Sequence, residues 1–316
     1  MFRWATRRWA DGGCAGLAMR EPLSLQHQDA ISQALGRFQR GEGAHSLSDY
    51  SFANFYLFRQ AHRYEFQSGD WPCLHGVAYD GQAYVLPLFD VCQAPHSVLH
   101  HFLQDKQTML FPLAKEQMEH FSADNFAWHA AEADADYVYP ADNFRHYAGS
   151  LLNKKRNLVR QLLDSVEVTS MAYSTDMAID AQTVLADWMR AKGKPAGDAD
   201  EQPCLEALQH AELLGLHGLM FFANGKPAGF VLAETLAPGV WVMRFAKGMD
   251  HLKGIYQHMF QQVCLATPDL QWLNFEQDLG LPNLRQTKLS YQPAFLLPKC
   301  RLRLSQSAQD SRTTPA

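Results

Sequence analysis

The sequence has no uncharged apolar run that approaches the roughly 20 residues a membrane-spanning helix needs. Residues 1–10 carry three arginines without an apolar core behind them, so they do not resemble a signal peptide, and we expect a cytoplasmic protein. The six cysteines are scattered, with no Cys-x-x-Cys pair and no spacing typical of zinc or of a disulfide framework. We therefore expect reduced thiols and no transmembrane segment.

Three common catalytic motifs are missing as well. The sequence has no Gly-x-Ser-x-Gly elbow, no phosphate-binding P-loop and no Gly-x-Gly-x-x-Gly after a predicted strand. These absences leave hydrolase, NTPase and dehydrogenase functions without support. His96 and His100 are spaced i, i+4, but no carboxylate or cysteine completes a ligand set, so we predict no metal site and no bound cofactor.

The composition is that of a globular protein with a large core. The chain has 316 residues, of which 47% are hydrophobic and 19% charged, and this length suits two modest domains. A formal net charge of -5 gives no overall attraction to nucleic acid, so any polyanion must be held by a local basic patch. Two runs of basic residues predict such patches: Lys154-Lys155-Arg156 with Arg160, and Lys288 with Lys299, Arg301 and Arg303.

The order of predicted elements is similar in the two halves of the chain. Strands, a helix, a strand, a helix and a strand occur in each, with hairpin signals at Asp80-Gly81 and Asn224-Gly225. This order predicts an α+β fold with a duplicated α/β module, each copy a mixed, mostly antiparallel sheet flanked by helices, and in the second half it is the order of a GNAT-type acyltransferase. We place the first module in residues 1–135, the second in residues 136–304 and a disordered tail in residues 305–316.

The segment from Trp272 to Tyr291 predicts a site in the second module. A buried strand ends in two carboxylates, Glu276 and Asp278, and ligands of open α/β sheets lie outside the carboxyl ends of strands. Acyl transfer needs a base for the proton of the attacking group, and burial can raise the pKa of a carboxylate until it suits that task. The alternative is that the acids cap the next helix or pair with Arg285 for structure alone.

The helix after these acids carries two cations, Arg285 and Lys288, at i, i+3. They suit the stabilisation of a developing oxyanion or of a terminal phosphate, and we assign Lys247 to the same role. They suit equally well a purely structural pairing with the acids.

Residues 150–165 predict an amphipathic helix with a lysine in its apolar stripe. Lys155 lies between Leu151 and Val159 at i, i+4 spacing, so we expect it to point inward and to meet a carboxylate or a ligand anion. The alternative is that Lys155 extends along the helix edge and that the run is a solvated basic face. Five residues are predicted to share the apolar face: Leu151, Leu152, Val159, Leu162 and Leu163.

A second helix start, at Gly254, predicts a place for a phosphate. Its first-turn amides are expected to be available, and Lys253 adds positive charge. Acyl-CoA-dependent GNAT proteins have a longer loop with more glycine here, so a single glycine favours a donor other than coenzyme A. Tyr256 suits the orientation of a substrate, although an aromatic residue in a first helical turn is more often part of the core.

Several separate motifs resemble the phosphatidylglycerol lysyltransferase C-terminal-domain family, in particular its soluble stand-alone branch. They are Ser48 to Arg59, Leu152 to Asn157, Lys253 to Gln257, Asn274 to Gly280 and Leu284 to Pro293. The resemblance implies a tandem GNAT fold with the active centre in the second module. In membrane-anchored members that domain moves an aminoacyl group from charged tRNA to a lipid head group. This chain departs from the family at Ala246-Lys247, where a Glu-Lys pair is usual.

The residues and the resemblance together predict an aminoacyl or acyl transferase with charged tRNA as a partner and a lipid head group, a peptide or a small molecule as acceptor. The rival hypotheses are an acyl-CoA-dependent N-acyltransferase and a non-catalytic binding protein that keeps the fold. The predicted catalytic residues are Glu276, Asp278, Lys247, Arg285 and Lys288. The predicted donor-binding residues are Lys154, Lys155, Arg156, Asn157, Lys253, Gly254, Tyr256 and Tyr291. We expect Lys155 and Glu276 to share one pocket.

Overall fold

The computed structural model describes residues 20–37, 43–195 and 200–305. Its strands are β1 (Arg20–Pro22), β2 (Glu65–Gln67), β3 (Cys73–Val77), β4 (Ala83–Pro87), β5 (Met109–Ala114), β6 (Phe126–Ala130), β7 (Asp136–Pro140), β8 (Val168–Ala172), β9 (Leu216–Ala223), β10 (Lys226–Ala237), β11 (Val240–Gly248), β12 (Trp272–Asn274), β13 (Phe295–Leu297) and β14 (Lys299–Leu304). Its α-helices are α1 (Gln28–Leu35), α2 (Phe52–Leu57), α3 (Arg59–His62), α4 (His96–Phe102), α5 (Ala141–His146), α6 (Asn153–Ser165), α7 (Ala178–Ala191), α8 (Glu201–His210), α9 (Ile255–Ala266) and α10 (Pro282–Leu289).

The strands form two sheets of seven strands each. The order in the first sheet is β1-β2-β3-β4-β5-β14-β6, and in the second it is β13-β7-β12-β11-β10-β9-β8. All neighbours are antiparallel except β4 with β5 and β11 with β12, which are parallel. The prediction of two mixed, mostly antiparallel sheets flanked by helices is confirmed.

Turn chemistry fixes the hairpin of β9 and β10 in the second sheet. Asn224 and Gly225 both have positive φ, 47° and 73°, which a tight primed turn requires and which asparagine and glycine tolerate best. The turn sets Ala223 opposite Lys226, and the two strands then pair as far as Leu216 and Glu234. The hairpin signal in the sequence is therefore realised as β9 and β10.

The last described strand, β14, belongs to the first sheet. We predicted one strand near residues 295–304 within the second module, but two strands are present. β13 pairs with β7 in the second sheet, whereas β14 pairs with β5 and β6 in the first. β7, the first strand of the second sheet in chain order, begins at Asp136, next to the predicted boundary. β14 lies in the sequence range of the predicted second module but pairs within the first sheet. The division into two modules stays a prediction. Residues 306–316 of the predicted disordered tail lie outside the described residues.

One of the three hydrophobic clusters among the described residues joins the two sheets. Helix α2 contributes Phe55 and Tyr56 to a buried cluster that also contains Phe230 and Phe245 from the second sheet. The ring of Phe58, just after α2, stacks on Phe245 with a centroid distance of 6.3 Å. Since α2 lies directly against the central strands of the second sheet, polar residues next to it can reach the same strands.

Helix α6 differs from its prediction. It begins at Asn153, and Leu152, Val159 and Leu162 are buried. Leu151 and Leu163, which we expected on the same buried face, are 73% and 48% exposed. The reason is that α6 packs mainly on α9, and only a narrow stripe of its surface takes part in that contact. The predicted apolar face is wider than this stripe on both sides. Within the described residues no helix is long and apolar enough to cross a membrane.

Candidate functional site

The two central strands of the second sheet part at the predicted acids. β11 and β12 pair only from Val240 opposite Trp272 to Val242 opposite Asn274. β11 continues to Gly248, while the chain after β12 leaves the strand direction at Glu276, whose φ is 57°. A sheet that opens in this way exposes backbone and side chains of both strands at one place, which favours a binding site there.

A β-bulge directs Arg244 toward this opening. Leu232 of β10 pairs with Phe245 and Ala233 pairs with Met243, so Arg244 is the extra residue of β11. Bulges change the direction of a side chain and are frequent beside active sites. Here the bulge turns a guanidinium into the interior, where its side chain is fully buried.

Arg244 is held by residues from both halves of the chain. Its Nε and Nη2 donate to Glu234 Oε2 at 3.1 and 2.9 Å, and Nη1 donates to Glu276 Oε1. Nη2 also donates to the carbonyl of Ser48 at 2.8 Å and to Ser51 Oγ at 3.0 Å. Burial acts to lower the pKa of Arg244, but the two carboxylates outweigh it and raise that pKa, so the guanidinium stays charged.

Glu276 keeps one carboxylate oxygen available. Oε1 accepts from Arg244, whereas Oε2 has no hydrogen-bond partner among the described residues, and the side chain is 23% exposed. Burial raises the pKa of Glu276, although the charges of Arg244 and Lys288 act against that rise. An available oxygen with a raised pKa is what a general base needs.

Asp278 is saturated by contrast. Its buried carboxylate accepts from Tyr137 Oη at 2.6 Å, from Arg285 Nε at 2.7 Å and from the Gly280 amide at 2.8 Å. Burial acts to raise the pKa of Asp278, but the hydrogen bonds from Arg285, Tyr137 and Gly280 lower it. This geometry supports the structural alternative for Asp278 and Arg285, since both mainly fix the turn into α10.

Lys288 binds the backbone that carries Glu276. Its Nζ donates to the carbonyl oxygens of Phe275 at 2.7 Å, of Glu276 at 3.1 Å and of Gln277. Burial lowers the pKa of Lys288 to about 8. Helix α10 has no buried residue, so polar contacts such as this one hold it in place. Lys288 therefore positions Glu276 and adds positive charge to the site.

Lys299 and Arg301 are buried, and this corrects the second predicted basic patch. Lys299 Nζ lies 2.6 Å from Asp49 Oδ2 and 2.7 Å from Asp136 Oδ1, and it also donates to Gln277 Oε1 at 2.9 Å. Arg301 pairs with Asp134 at 2.7 Å. We call the connected hydrogen bonds and ion pairs of Lys299 and Arg244 the junction network, because they join residues of both sheets. It consists of Ser48, Asp49, Ser51, Asp136, Glu234, Arg244, Glu276, Gln277 and Lys299.

Lys155 points inward but meets no carboxylate. Its Nζ donates to Ser290 Oγ at 2.7 Å and lies 3.8 Å from the ring centre of Tyr291. The expected carboxylate partner is absent among the described residues because α6 faces the end of α10, where only a hydroxyl and an aromatic ring are in reach. Burial lowers the pKa of Lys155, and the charge of Lys154 adds to that effect. A ligand anion stays a prediction for this lysine.

Lys155 and Glu276 do not contact one another. Lys155 reaches the end of α10 at Ser290 and Tyr291, and Lys288 of the same helix reaches the backbone of Glu276. Tyr291 is buried and its Oη accepts from Gln257 Nε2 of α9 at 2.7 Å. Helix α10 therefore links the two residues, and a shared pocket stays a prediction.

Helix α6 carries three more of the donor-binding candidates, Lys154, Arg156 and Asn157. Lys154, Arg156 and Arg160 are exposed, and Asn157 is partly buried. Lys154 and Asn157 line an open groove of about 470 Å³. We call the exposed Lys154, Arg156 and Arg160, together with Lys253, the α6 basic surface.

Gly254 is required by close packing. Its φ is 97°, and a Cβ there would lie 2.2 Å from the carbonyl oxygen of Leu158. The close approach of α6 to α9 therefore explains why this position is a glycine, and a bound phosphate is not needed to explain it. Lys253 beside it is exposed. Tyr256 Oη accepts from the Gly248 amide at 3.3 Å, which ties α9 to the end of β11.

Lys247 is engaged in an ion pair. Its Nζ lies 2.8 Å from both carboxylate oxygens of Asp200 and 4.1 Å from the ring centre of Trp188. The side chain is 7% exposed, so these contacts account for its position at the end of β11. None of these contacts of Lys247 supports its predicted role in stabilising a developing oxyanion.

Sequence reasoning missed Arg244 and the junction network. The signal for Arg244 was present, because it is the single charge within the otherwise apolar run from Val240 to Ala246. A charge inside a buried strand must be paired, and this could have directed attention to it. Its partners Glu234, Ser48 and Ser51 are far apart in sequence and carry no such signal.

Comparisons with known proteins agree with the fold. A family model described as "Phosphatidylglycerol lysyltransferase, C-terminal" matches residues 40–302, which confirms the predicted resemblance. A conserved protein of unknown function from Bacteroides thetaiotaomicron VPI-5482 superposes with a TM-score of 0.74 at 20% identity, over 91% of this chain and 99% of that one. No curated protein matches the sequence.

Two further solved structures share the fold at lower identity. L-PGS from Bacillus licheniformis has a TM-score of 0.60 at 14% identity, covering 90% of this chain and 92% of that one. FemX has a TM-score of 0.58 at 8% identity, covering 93% of this chain and 99% of that one. At such identities these likenesses concern the fold alone.

Proposed function

The chain belongs to the phosphatidylglycerol lysyltransferase C-terminal family, and from this premise we propose that it is a GNAT-type transferase of aminoacyl groups. The observation that carries the proposal is the opening between β11 and β12, where Glu276 has a carboxylate oxygen, beside Arg244, that no described residue hydrogen-bonds. The proposed donor is aminoacyl-tRNA, and the acceptor is an amine or a hydroxyl group. Family membership alone specifies neither this donor nor the chemistry of the transfer.

Glu276 acts as the base in the proposed reaction. Its Oε2 takes the proton of the attacking amine or hydroxyl group while the new bond to the acyl carbon forms. The ester bond to the ribose oxygen of the tRNA then breaks, and that oxygen receives the proton from Glu276. The donor ester is already activated, so positioning and charge can supply the remaining rate enhancement.

Arg244 and Lys288 provide the positive charge near the reacting carbonyl group. Arg244 remains charged because its pKa is raised, and Lys288 Nζ is fixed on the carbonyl oxygens of residues 275–277. Fixed charges in a partly buried site stabilise a developing oxyanion more than they would in water. The proposal uses Glu276 and leaves Asp278 as a residue that positions the turn.

The α6 basic surface is proposed to bind the phosphates of the tRNA. Lys154 and Arg160 are exposed and make no ion pair with a carboxylate among the described residues, and Arg160 Nη2 donates to Asn157 Oδ1 at 3.2 Å. Phosphate contacts of this kind supply affinity that falls steeply with salt. An acyl-CoA donor is the main rival, and a non-catalytic protein would bind charged tRNA without consuming it.

Transfer of a labelled amino acid tests the proposal. The protein is incubated with tRNA charged with radiolabelled amino acids, together with lipid vesicles and a small-molecule extract as acceptors. We expect label to move from tRNA to a new species with wild type, and at least tenfold more slowly with Glu276→Gln. Protection of charged tRNA without transfer to any acceptor would identify a binding protein instead. A rise in melting temperature with micromolar coenzyme A and none with charged tRNA would favour the acyl-CoA rival.

A further inference from the structure

Asn274 is the last residue of β12 and lies where the second sheet opens. It is paired with Val242 of β11, and no described residue after it pairs with that strand. Asn274 is 1% exposed, so its polar side chain must find partners inside the protein. Two residues later the chain leaves the strand direction at Glu276. A buried asparagine therefore directly precedes the turn that carries the proposed base.

The amide of Glu276 has lost the strand that would ordinarily accept its hydrogen bond. The Phe275 amide donates to the carbonyl oxygen of Tyr137 in β7 at 2.9 Å. Successive amides along a strand point to opposite sides, so the Glu276 amide points toward β11. β11 has already separated from β12 at this point. Because a partly buried amide without an acceptor is costly, another acceptor is required here.

The side chain of Asn274 supplies that acceptor. Its Oδ1 accepts from the Glu276 amide at 2.7 Å, and its Nδ2 donates to Asp136 Oδ2 at 3.0 Å. The Asp136 carboxylate is fixed in turn by Lys299 and Ser48. The position thus requires an acceptor and a donor on one short side chain, which asparagine provides and an ionised aspartate does not. Through Asn274 the backbone of Glu276 is connected to the junction network.

The direction of the Glu276 side chain depends on this backbone. Its φ of 57° is unfavourable for a residue with a Cβ and persists only where surrounding contacts hold it. The carbonyl oxygen of Glu276 accepts from Lys288 Nζ at 3.1 Å and from the Tyr137 amide at 3.2 Å. The amide of Glu276 has Asn274 as its one hydrogen-bond partner among the described residues. Removal of this side chain therefore frees one side of the turn.

We propose that Asn274 is a positioning residue for Glu276, whose turn it fixes so that the carboxylate keeps its place beside Arg244. This inference rests on the proposed function and deepens it, because a base accepts the proton only when its oxygen is within hydrogen-bond reach of the attacking group. A displacement of about 1 Å at a reacting group can lower a rate about 100-fold. Asn274 is buried and bonded at both ends, so it acts through Glu276.

Two variants separate positioning from a general loss of stability. Asn274→Ala leaves the Glu276 amide without an acceptor, whereas Asn274→Ser keeps one, since a serine hydroxyl can accept from the amide two residues further on. Both side chains are too short to reach Asp136, so both should lower the melting temperature. In the assay with radiolabelled charged tRNA, we expect Asn274→Ala to lower kcat at least tenfold with KM for charged tRNA nearly unchanged, and Asn274→Ser to stay within about threefold of wild type.

Two kinetic outcomes would overturn the proposal. One is a wild-type kcat in Asn274→Ala, and the other is an equal fall of kcat in both variants, which would assign the loss to the contact with Asp136. Failure of the proposed function looks different, because Glu276→Gln would then keep full activity. A slow Glu276→Gln beside a fully active Asn274→Ala would reject the positioning role alone.

Hydrogen exchange of the Glu276 amide, followed by NMR without tRNA, tests the contact itself. We expect this amide to exchange at least tenfold more slowly in wild type than in an unfolded peptide, and at least tenfold faster in Asn274→Ala than in Asn274→Ser. Equal exchange in the two variants would contradict the role of the side-chain acceptor. An unprotected amide in wild type would overturn the proposal even if Asn274→Ala did not fold.

Discussion

The junction network and the α6 basic surface hold their cations in opposite ways. In the junction network Arg244 and Lys299 are buried, and each pairs with two carboxylates. On the α6 basic surface Lys154 and Arg160 are exposed, and no carboxylate pairs with them among the described residues. A buried charge without a partner is costly, whereas an exposed one is solvated by water. The first arrangement therefore fixes the structure, and the second leaves charge available to a ligand.

Replacement of Arg244 should have the largest effect on stability and should show most clearly how the buried and the exposed cations differ. Arg244→Met leaves Glu234 and Glu276 without their shared cation, and loss of one partner of a buried ion pair costs about 3–5 kcal/mol. We expect a fall of that size in the free energy of unfolding, measured with urea. The matched control Arg160→Met, on the exposed surface, should change it by less than about 0.5 kcal/mol. Similar small values for both variants would contradict the distinction.

Of the two acids after β12, Asp278 should matter mainly for stability and Glu276 mainly for activity. Asp278→Asn removes the charge that Arg285, Tyr137 and the Gly280 amide bind, so we expect a loss of about 1–3 kcal/mol in the free energy of unfolding. Glu276→Gln should lower transfer at least tenfold, which corresponds to about 1.4 kcal/mol in activation free energy. Urea titration and the transfer assay measure the two effects. Full activity in Glu276→Gln would remove Glu276 as the base.

The contribution of Lys288 to the free energy of unfolding should depend on pH in the alkaline range. Its pKa of about 8 in the folded protein lies below the value of about 10.4 for a lysine in an unfolded chain. Between these values the unfolded chain binds more protons, so this group makes folding more favourable as the pH rises and less favourable as it falls. We expect the free energy of unfolding of wild type minus that of Lys288→Met to increase from pH 8 to pH 10. The subtraction removes the titration of the tyrosines, and a flat difference would contradict the shifted pKa.

The smallest effect should come from the α6 basic surface. Lys154→Gln and Arg160→Gln each remove one proposed phosphate contact, so we expect weaker tRNA binding and a salt dependence whose slope falls by about 1 for each residue. Binding is measured by fluorescence anisotropy between low and moderate salt. Neither variant should alter the melting temperature. A slope unchanged in both would show that tRNA binds elsewhere.

Much of the fold was predictable because hydrophobic periodicity and turn residues mark the elements locally. The sequence predicts strands at residues 227–235 and 240–247 and helices at residues 178–191 and 254–266, and β10, β11, α7 and α9 lie close to these bounds. β7 was missed, although Asp136–Pro140 is buried almost throughout. Its five residues lie between two short helices, and such a brief run does not show the alternation that identifies a strand.

The candidate site was predictable only in part. Glu276 was found because an acid after a buried strand is visible in the sequence, and its contrast with Asp278 appeared only from their partners. Lys247 was assigned to the site, but Asp200 holds it through an ion pair between residues 47 positions apart. Contacts over such separations depend on packing, which no local pattern records.

The position of β14 has a consequence for biosynthesis. β14 is the last described element, and β6 has no other neighbour in the first sheet. Until the ribosome has added residues 299–304, β5 and β6 each lack the neighbour that β14 provides, and Asp49 and Asp136 lack the ammonium of Lys299. The first sheet thus stays incomplete until a strand that is made much later than β5 and β6 is available, and a nascent chain that stops short of residue 299 would expose unpaired strand edges to aggregation.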